Sequence, residues 1–74
     1  MDFNGFSVLL WFDEGCKDWE AKLADFPLSE GFVSAGGATP EQALAELKVA
    51  WNMVVDGYRE EGRNPPSPDI QKAA

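Results

Sequence analysis

The 74-residue sequence predicts a single α+β domain in which a three-stranded antiparallel meander packs on one amphipathic helix. Three short apolar segments, separated by turn-forming residues, occupy the first half of the chain. One longer segment with apolar residues at three- and four-residue steps occupies the second half. The expected order is therefore β-β-β-α, with one domain over 1–68 and a C-terminal tail over 69–74.

The first strand is predicted over 6–12. Alternate residues of a strand share a face, which groups Phe6, Val8, Leu10 and Phe12 against Ser7, Leu9 and Trp11. Most of both faces is apolar, a pattern typical of a strand that is covered on two sides.

Two further strands follow, each bounded by residues that favour turns. The polar segment 13–18 contains glycine and suits a hairpin turn. Residues 19–24 then alternate between apolar and charged side chains, as expected for a second strand antiparallel to the first. Pro27 interrupts the pattern because it cannot donate to a strand ladder. Residues 32–35 form the third predicted strand, which Gly36 and Gly37 are expected to end.

The helix has a clear beginning and a clear end. Thr39 is a good N-cap, Pro40 suits the first helical position, and Gln42 completes a capping box. The apolar stripe consists of Leu44, Leu47, Trp51, Val54 and Tyr58. Gly62 is the expected C-cap, and the prolines within 64–68 cannot continue a helix. Two alternatives stay open for residues 69–74, which are a short fourth strand at the sheet edge through Ile70 or a frayed end.

One apolar face is left over by this arrangement. The helix covers a single face of the sheet, so Leu9 and Trp11 are expected on the other face, where they predict an interface between copies of the chain. The alternative is that the tail folds over this face. Trp19 is expected to pack against the helix instead.

Composition narrows the possible functions. The formal net charge is -7, from 13 acidic and 6 basic residues, which argues against direct binding of nucleic acid and favours a basic partner. Histidine is absent, so the usual general base and the commonest zinc ligand are missing. A single cysteine, Cys16, fits a reducing cytoplasm. No signal peptide or membrane span is recognisable, and we expect no cofactor, no metal and no membrane association.

The order of motifs resembles the HicB antitoxin family. The residues that carry the resemblance are Trp19-Glu20-Ala21, Asp25-Phe26-Pro27, Gly37-Ala38-Thr39-Pro40-Glu41-Gln42-Ala43-Leu44 and 61–68. The chain departs from the family pattern in three respects. The loop over 27–32 is longer, Ala38 replaces the usual Asp, and no DNA-binding segment follows residue 68.

The resemblance implies a partial ribonuclease-H-like fold, with a fourth strand after the helix, and a homo-oligomeric protein. It further implies a non-catalytic antitoxin, or an orphan relative, that covers a small basic HicA-type ribonuclease toxin. Acidic side chains would then face the toxin and steer its approach. The candidates are Asp13, Glu14, Asp18, Glu20 and Glu30.

Two other functions stay open from the residues. A degenerate ribonuclease-H-like nuclease would need several carboxylates around a divalent ion, with Asp13, Glu14, Asp18 and Asp25 as candidates. These acids are equally typical of solvated turns. A small-ligand or regulatory domain would place its pocket at the loop over 25–32. Cys16 lacks a histidine to activate it as a nucleophile.

Overall fold

The computed structural model describes residues 3–67, and the predicted α+β fold class is confirmed. Strand β1 spans Val8–Asp13, β2 spans Asp18–Leu23 and β3 spans Ser34–Gly37. A short 3₁₀ helix over Leu28–Glu30 separates β2 from β3, and helix α1 runs over Pro40–Glu60. Within these residues the strands form one sheet in the order β1-β2-β3, with both pairings antiparallel.

The register determines which side chains share a face. Leu10 pairs with Ala21, which pairs in turn with Ala35, and this row points toward α1. Trp11 pairs with Glu20, which pairs with Gly36, and this row points away from the helix. We call the second side of the sheet the free face, because α1 packs only on the first.

Helix α1 begins as its sequence predicts, and its C-cap lies one residue before the predicted Gly62. The Thr39 hydroxyl accepts the N–H of Gln42 at 3.0 Å, and the Gln42 side chain accepts the N–H of Ala38 at 2.7 Å. At the other end Glu61 is the C-cap, and Gly62 follows with φ of 71°. The N–H of Arg63 reaches the carbonyl of Tyr58, as in a Schellman motif.

The core lies between α1 and the β2–β3 half of the sheet. Its buried side chains come from the N-terminal segment, β2, the following loop and helix α1, where Leu47 and Trp51 belong to the predicted stripe. They are Phe3, Phe6, Ala21, Leu23, Phe26, Val33, Ala43, Leu47 and Trp51. Phe6, Phe26 and Trp51 pack ring against ring, with centroids 5.4 to 6.3 Å apart. Trp19 packs half-buried against this core, which confirms its expected place on the helix-covered face.

The predicted start of the first strand at Phe6 is wrong by two residues. Asn4 and Gly5 both have positive φ, and the N–H of Phe6 bonds the carbonyl of Phe3, which makes a tight turn before the strand. The turn directs Phe3 and Phe6 into the core instead of along the strand. The Asn4-Gly5 turn is a local signal in the sequence that the predicted strand start did not take into account.

The predicted third strand over 32–35 is also displaced by two residues. Phe32 is exposed, whereas Gly36 and Gly37 belong to β3. A Cβ on Gly37 would lie 2.7 Å from the backbone nitrogen of Ala43. Glycine is therefore needed here because the strand passes close to the helix, and not because the strand stops.

The predicted tail over 69–74, with its possible fourth strand through Ile70, lies outside the described residues. The segment before it returns to the start of the chain. The side-chain amide of Asn4 donates to the carbonyl of Pro66 at 2.7 Å.

Candidate functional site

The main candidate surface is strand β1, which the helix leaves largely uncovered. Helix α1 packs on β3 and β2 and barely reaches β1. As a result, four consecutive large apolar side chains are exposed on β1, by 37 to 48%: Leu9, Leu10, Trp11 and Phe12. Exposed apolar residues are ordinary when they are scattered, but a contiguous patch marks a contact surface.

The exposure of Leu9 and Trp11 on the free face agrees with the expectation from sequence, and their role in an oligomer interface stays a prediction. Leu10 and Phe12 lie on the helix side, where the sequence predicted cover. The rings of Phe12 and Trp19 pack in an edge-to-face arrangement, with centroids 5.6 Å apart. The sequence already showed that both faces of this segment are apolar. It did not show that the helix lies over β2 and β3, which leaves Leu10 and Phe12 uncovered.

The outer edge of β1 also carries backbone groups that no strand within residues 3–67 pairs with. The N–H of Ala24 donates to the carbonyl of Ser7 at 2.8 Å, one step beyond the Val8–Leu23 pair. Bonded and non-bonded pairs alternate along an antiparallel ladder. The N–H and C=O groups of Val8, Leu10 and Phe12 therefore point outward, away from β2.

Four of the five predicted toxin-facing acids lie around this strand. Asp13, Asp18 and Glu20 share the free face with Trp11, and Glu14 is exposed in the adjoining hairpin turn. Among residues 3–67, none of these four carboxylates forms an ion pair. The free face therefore combines an apolar strip with negative charge, although contact with a toxin stays a prediction.

Asp13 has a structural role in addition. Its carboxylate accepts the N–H of Gly15 at 2.9 Å and that of Cys16 at 3.2 Å, an arrangement that closes the hairpin turn. Lys17 adopts a positive φ of 59°, and its N–H bonds the carbonyl of Asp13. Replacing Asp13 would therefore disturb the turn as well as the charge.

Glu30 lies apart from the other four acids, against the C-terminal end of α1. Its carboxylate accepts a hydrogen bond from the Tyr58 hydroxyl and forms an ion pair with Arg63 at 3.2 Å. Arg63 also pairs with Glu61 at 3.1 Å, and its guanidinium lies 4.7 Å from the centre of the Tyr58 ring. We call Glu30, Tyr58 and Arg63 the C-terminal cluster.

The C-terminal cluster favours one protonation state. The hydrogen bond from Tyr58, followed by the contact with Arg63, holds the pKa of Glu30 below its ordinary value of 4.5. The same bond, aided by burial, raises the pKa of Tyr58 above 10.0. Ionised Glu30 and neutral Tyr58 therefore persist across the neutral range.

An open pocket of about 240 Å³ adjoins the C-terminal cluster. Val54 and Gly57 contribute apolar surface, and Glu30, Glu61 and Arg63 contribute charge. The charged groups already bond one another, so a ligand would have to replace those contacts. Glu30 belongs to the loop over 25–32, where a small-ligand pocket was predicted from the sequence.

The carboxylates proposed for a nuclease do not converge on one point. Across residues 3–67, no group of three or more His, Cys, Asp or Glu side chains is placed to hold a metal ion. Cys16 is an exposed free thiol in the hairpin turn.

Comparison with known proteins identifies no relative. Protein-family models, curated proteins and solved structures were all searched, and none matches the chain. In the part of the chain that the structure describes, no helix has both the length and the apolar composition needed to cross a membrane.

Proposed function

We propose that this chain is a non-catalytic, homo-oligomeric protein-binding module, a HicB-like antitoxin or an orphan relative of one. Its partner would be a small basic ribonuclease of the HicA type, which it covers in the cytoplasm. The observation that carries the proposal is the free face, where exposed apolar side chains of β1 lie beside carboxylates that form no ion pair within residues 3–67.

The chemistry of this face fits a basic partner. Trp11 supplies a large apolar contact of the kind that often dominates binding energy, and Glu20 lies beside it in the ladder. Asp13 and Asp18 form the next pair along the same face. Acids around an apolar centre accelerate encounter with a cation-rich surface and disfavour acidic partners.

The test is a titration of the full chain against the small basic ribonuclease encoded beside it. We expect binding that weakens with added salt, together with loss of RNA cleavage. The double variant Asp18→Lys/Glu20→Lys should weaken binding at least about tenfold, since it reverses two charges on the free face. Absence of a basic partner gene, together with no protection from toxin-induced growth arrest, would refute the proposal.

A matched control separates local charge from net charge. Glu46 and Glu60 are exposed on helix α1, away from the free face. The variant Glu46→Lys/Glu60→Lys changes the net charge by the same amount, and we expect it to bind within about twofold of the unaltered chain. Equal weakening by both variants would show that the free face is not the contact surface.

A small-ligand function is the second candidate, and the pocket beside the C-terminal cluster is the observation that favours it. Its mixed lining suits a small polar molecule with one apolar side. Chemical-shift changes confined to Val54, Gly57 and Tyr58 during a screen of small metabolites would support this function.

A further inference from the structure

We propose that β1 pairs antiparallel with β1 of a second copy about a two-fold axis at Leu10, which joins the two sheets into one. The inference rests on the self-association part of the proposed function. It adds the strand, the register and the residues that the axis relates.

The first argument is that β1 lacks the devices that protect edge strands. Such strands usually carry lysine, proline or a bulge, or they are very short. Strand β1 has six residues without lysine or proline, and its pairing with β2 is continuous. The opposite edge strand, β3, has only four residues and ends in two glycines. Of the two edge strands, β1 is therefore the one open to pairing with another chain.

The second argument is that the backbone of β1 can form a bonded ladder with its own copy. The outward N–H and C=O groups belong to Val8, Leu10 and Phe12, as the bond between Ala24 and Ser7 establishes. Directly opposed residues in an antiparallel pair lie on the same face. Backbone hydrogen bonds between the two copies therefore require residues from this set of three to lie opposite one another. In that arrangement both helices lie on the same side of the joined sheet.

Registers with the axis at Leu9, Leu10 or Trp11 all meet this requirement, but only the axis at Leu10 lets all three residues of the set bond. Side-chain chemistry favours the same register. With the axis at Leu10, Val8 opposes Phe12 of the second copy, and Leu9 opposes its Trp11. All opposed pairs from Val8 to Phe12 are then apolar, and Asp13 falls beyond them. With the axis at Trp11, Asp13 would oppose the apolar Leu9.

Charge on the free face favours the same choice. Lys22 pairs with Leu9 in the ladder, and Glu20 pairs with Trp11. With the axis at Leu10, Leu9 of one copy lies opposite Trp11 of the other. The row of four side chains across the two sheets therefore begins with Lys22 of one copy and ends with Glu20 of the other. The central row would instead end in glutamate on both sides with the axis at Trp11, and in lysine on both sides with the axis at Leu9, so it would carry no opposite charges.

The other occupants fit this edge less well. The sequence of 68–74 begins with proline and contains one large apolar residue, Ile70, so it offers little to cover four exposed side chains. A basic partner suits the carboxylates of the free face better than an apolar edge. A second copy brings its own exposed β1 side chains, so each copy covers the apolar residues of the other.

Sedimentation of Leu10→Pro beside Leu10→Ala tests the pairing. Both variants remove the leucine side chain, but only proline removes the outward N–H, and proline is tolerated where that N–H faces outward. We expect the unaltered chain to be a dimer, and Leu10→Pro to dissociate at least about tenfold more readily than Leu10→Ala. A monomeric unaltered chain, or equal dissociation of the two variants, would overturn the inference.

Cross-linking tests the register even if the proline variant fails to fold. In a Cys16→Ser background, we expect a mixture of Leu9→Cys and Trp11→Cys chains to form a disulfide dimer, because opposed residues come within disulfide range. A dimer from Trp11→Cys alone would overturn the axis at Leu10. Stronger association in Ile70→Asp than in the unaltered chain would mean that the tail covers the edge, and would also overturn the inference.

These outcomes are separable from those of the proposed function. A monomer that still inhibits a basic ribonuclease removes the paired edge and leaves the antitoxin proposal standing. A dimer with the expected cross-link that binds no basic protein removes the antitoxin proposal and leaves the paired edge.

Discussion

Gly37 lies where β3 passes so close to α1 that the added methyl group of an alanine would not fit. A Cβ there would lie 2.7 Å from the nitrogen of Ala43 and 2.8 Å from the Cγ of Gln42. The nitrogen of Ala43 is backbone of the first turn of α1 and cannot move without shifting the helix, and the Gln42 side chain can move only by giving up its bond from the N–H of Ala38. Gly57 is the opposite case, because a Cβ there would meet no atom within 4 Å.

We predict that Gly37→Ala destabilises the fold by about 1–3 kcal/mol through overpacking. Gly57→Ala should instead stabilise it by about 0.5–1 kcal/mol, because alanine has the higher helix propensity and a less flexible unfolded state. Urea unfolding followed by tryptophan fluorescence compares the two. A tolerated Gly37→Ala would show that the strand and helix are packed less closely than described.

The C-terminal cluster predicts how stability depends on pH. Because the folded pKa of Glu30 lies below 4.5, its contribution is present above that pH and is lost as the pH falls further. Because the folded pKa of Tyr58 lies above 10.0, its contribution is present below that pH and is lost as the pH rises further.

Tyr58→Phe removes the hydroxyl donor and keeps the ring. We expect the pKa of Glu30 to move toward 4.5 and the acid-side loss of stability to become shallower. Thermal unfolding between pH 2 and 7 measures this, with Glu46→Gln as an exposed control that should leave the profile unchanged. An unchanged profile in Tyr58→Phe would mean that the hydrogen bond does not stabilise the carboxylate.

At the scale of elements, helix α1 is the part that local sequence specifies most completely. Its N-cap, capping box, apolar stripe and C-terminal glycine were all readable, because each depends on residues within a few positions. The strand ends were harder to place. The start of β1 depends on the turn at Asn4 and Gly5, which is a local signal that was overlooked. The end of β3 depends on the close approach of Gly37 to the helix, which involves the packing of two elements.

The capping box gives a direct prediction for this element. Thr39→Ala should destabilise the protein by about 1 kcal/mol, because the N–H of Gln42 loses its acceptor. Thr39→Ser keeps the hydroxyl and should restore most of the loss. Chemical denaturation of the three proteins is the measurement, and equal stability of all three would contradict the cap.

At the scale of the whole molecule, the sheet is wider than the single helix that covers it. The sequence indicated an uncovered face at Leu9 and Trp11, because one helix covers one face. The exposure of Leu10 and Phe12 followed only from the lateral position of α1 over β2 and β3. Glu30 was placed among the toxin-facing acids for its charge alone, and its bond to Tyr58 could not be read from residues that lie far apart in the chain.

The measurement closest to the central claim is amide hydrogen exchange along β1 at two protein concentrations. The N–H of Leu9 points toward β2 and should be protected at both concentrations, whereas that of Leu10 points outward. We predict that Leu10 is protected when the protein is concentrated and loses that protection on dilution. Rapid exchange at Leu10 at every concentration would show that β1 does not pair with a second copy.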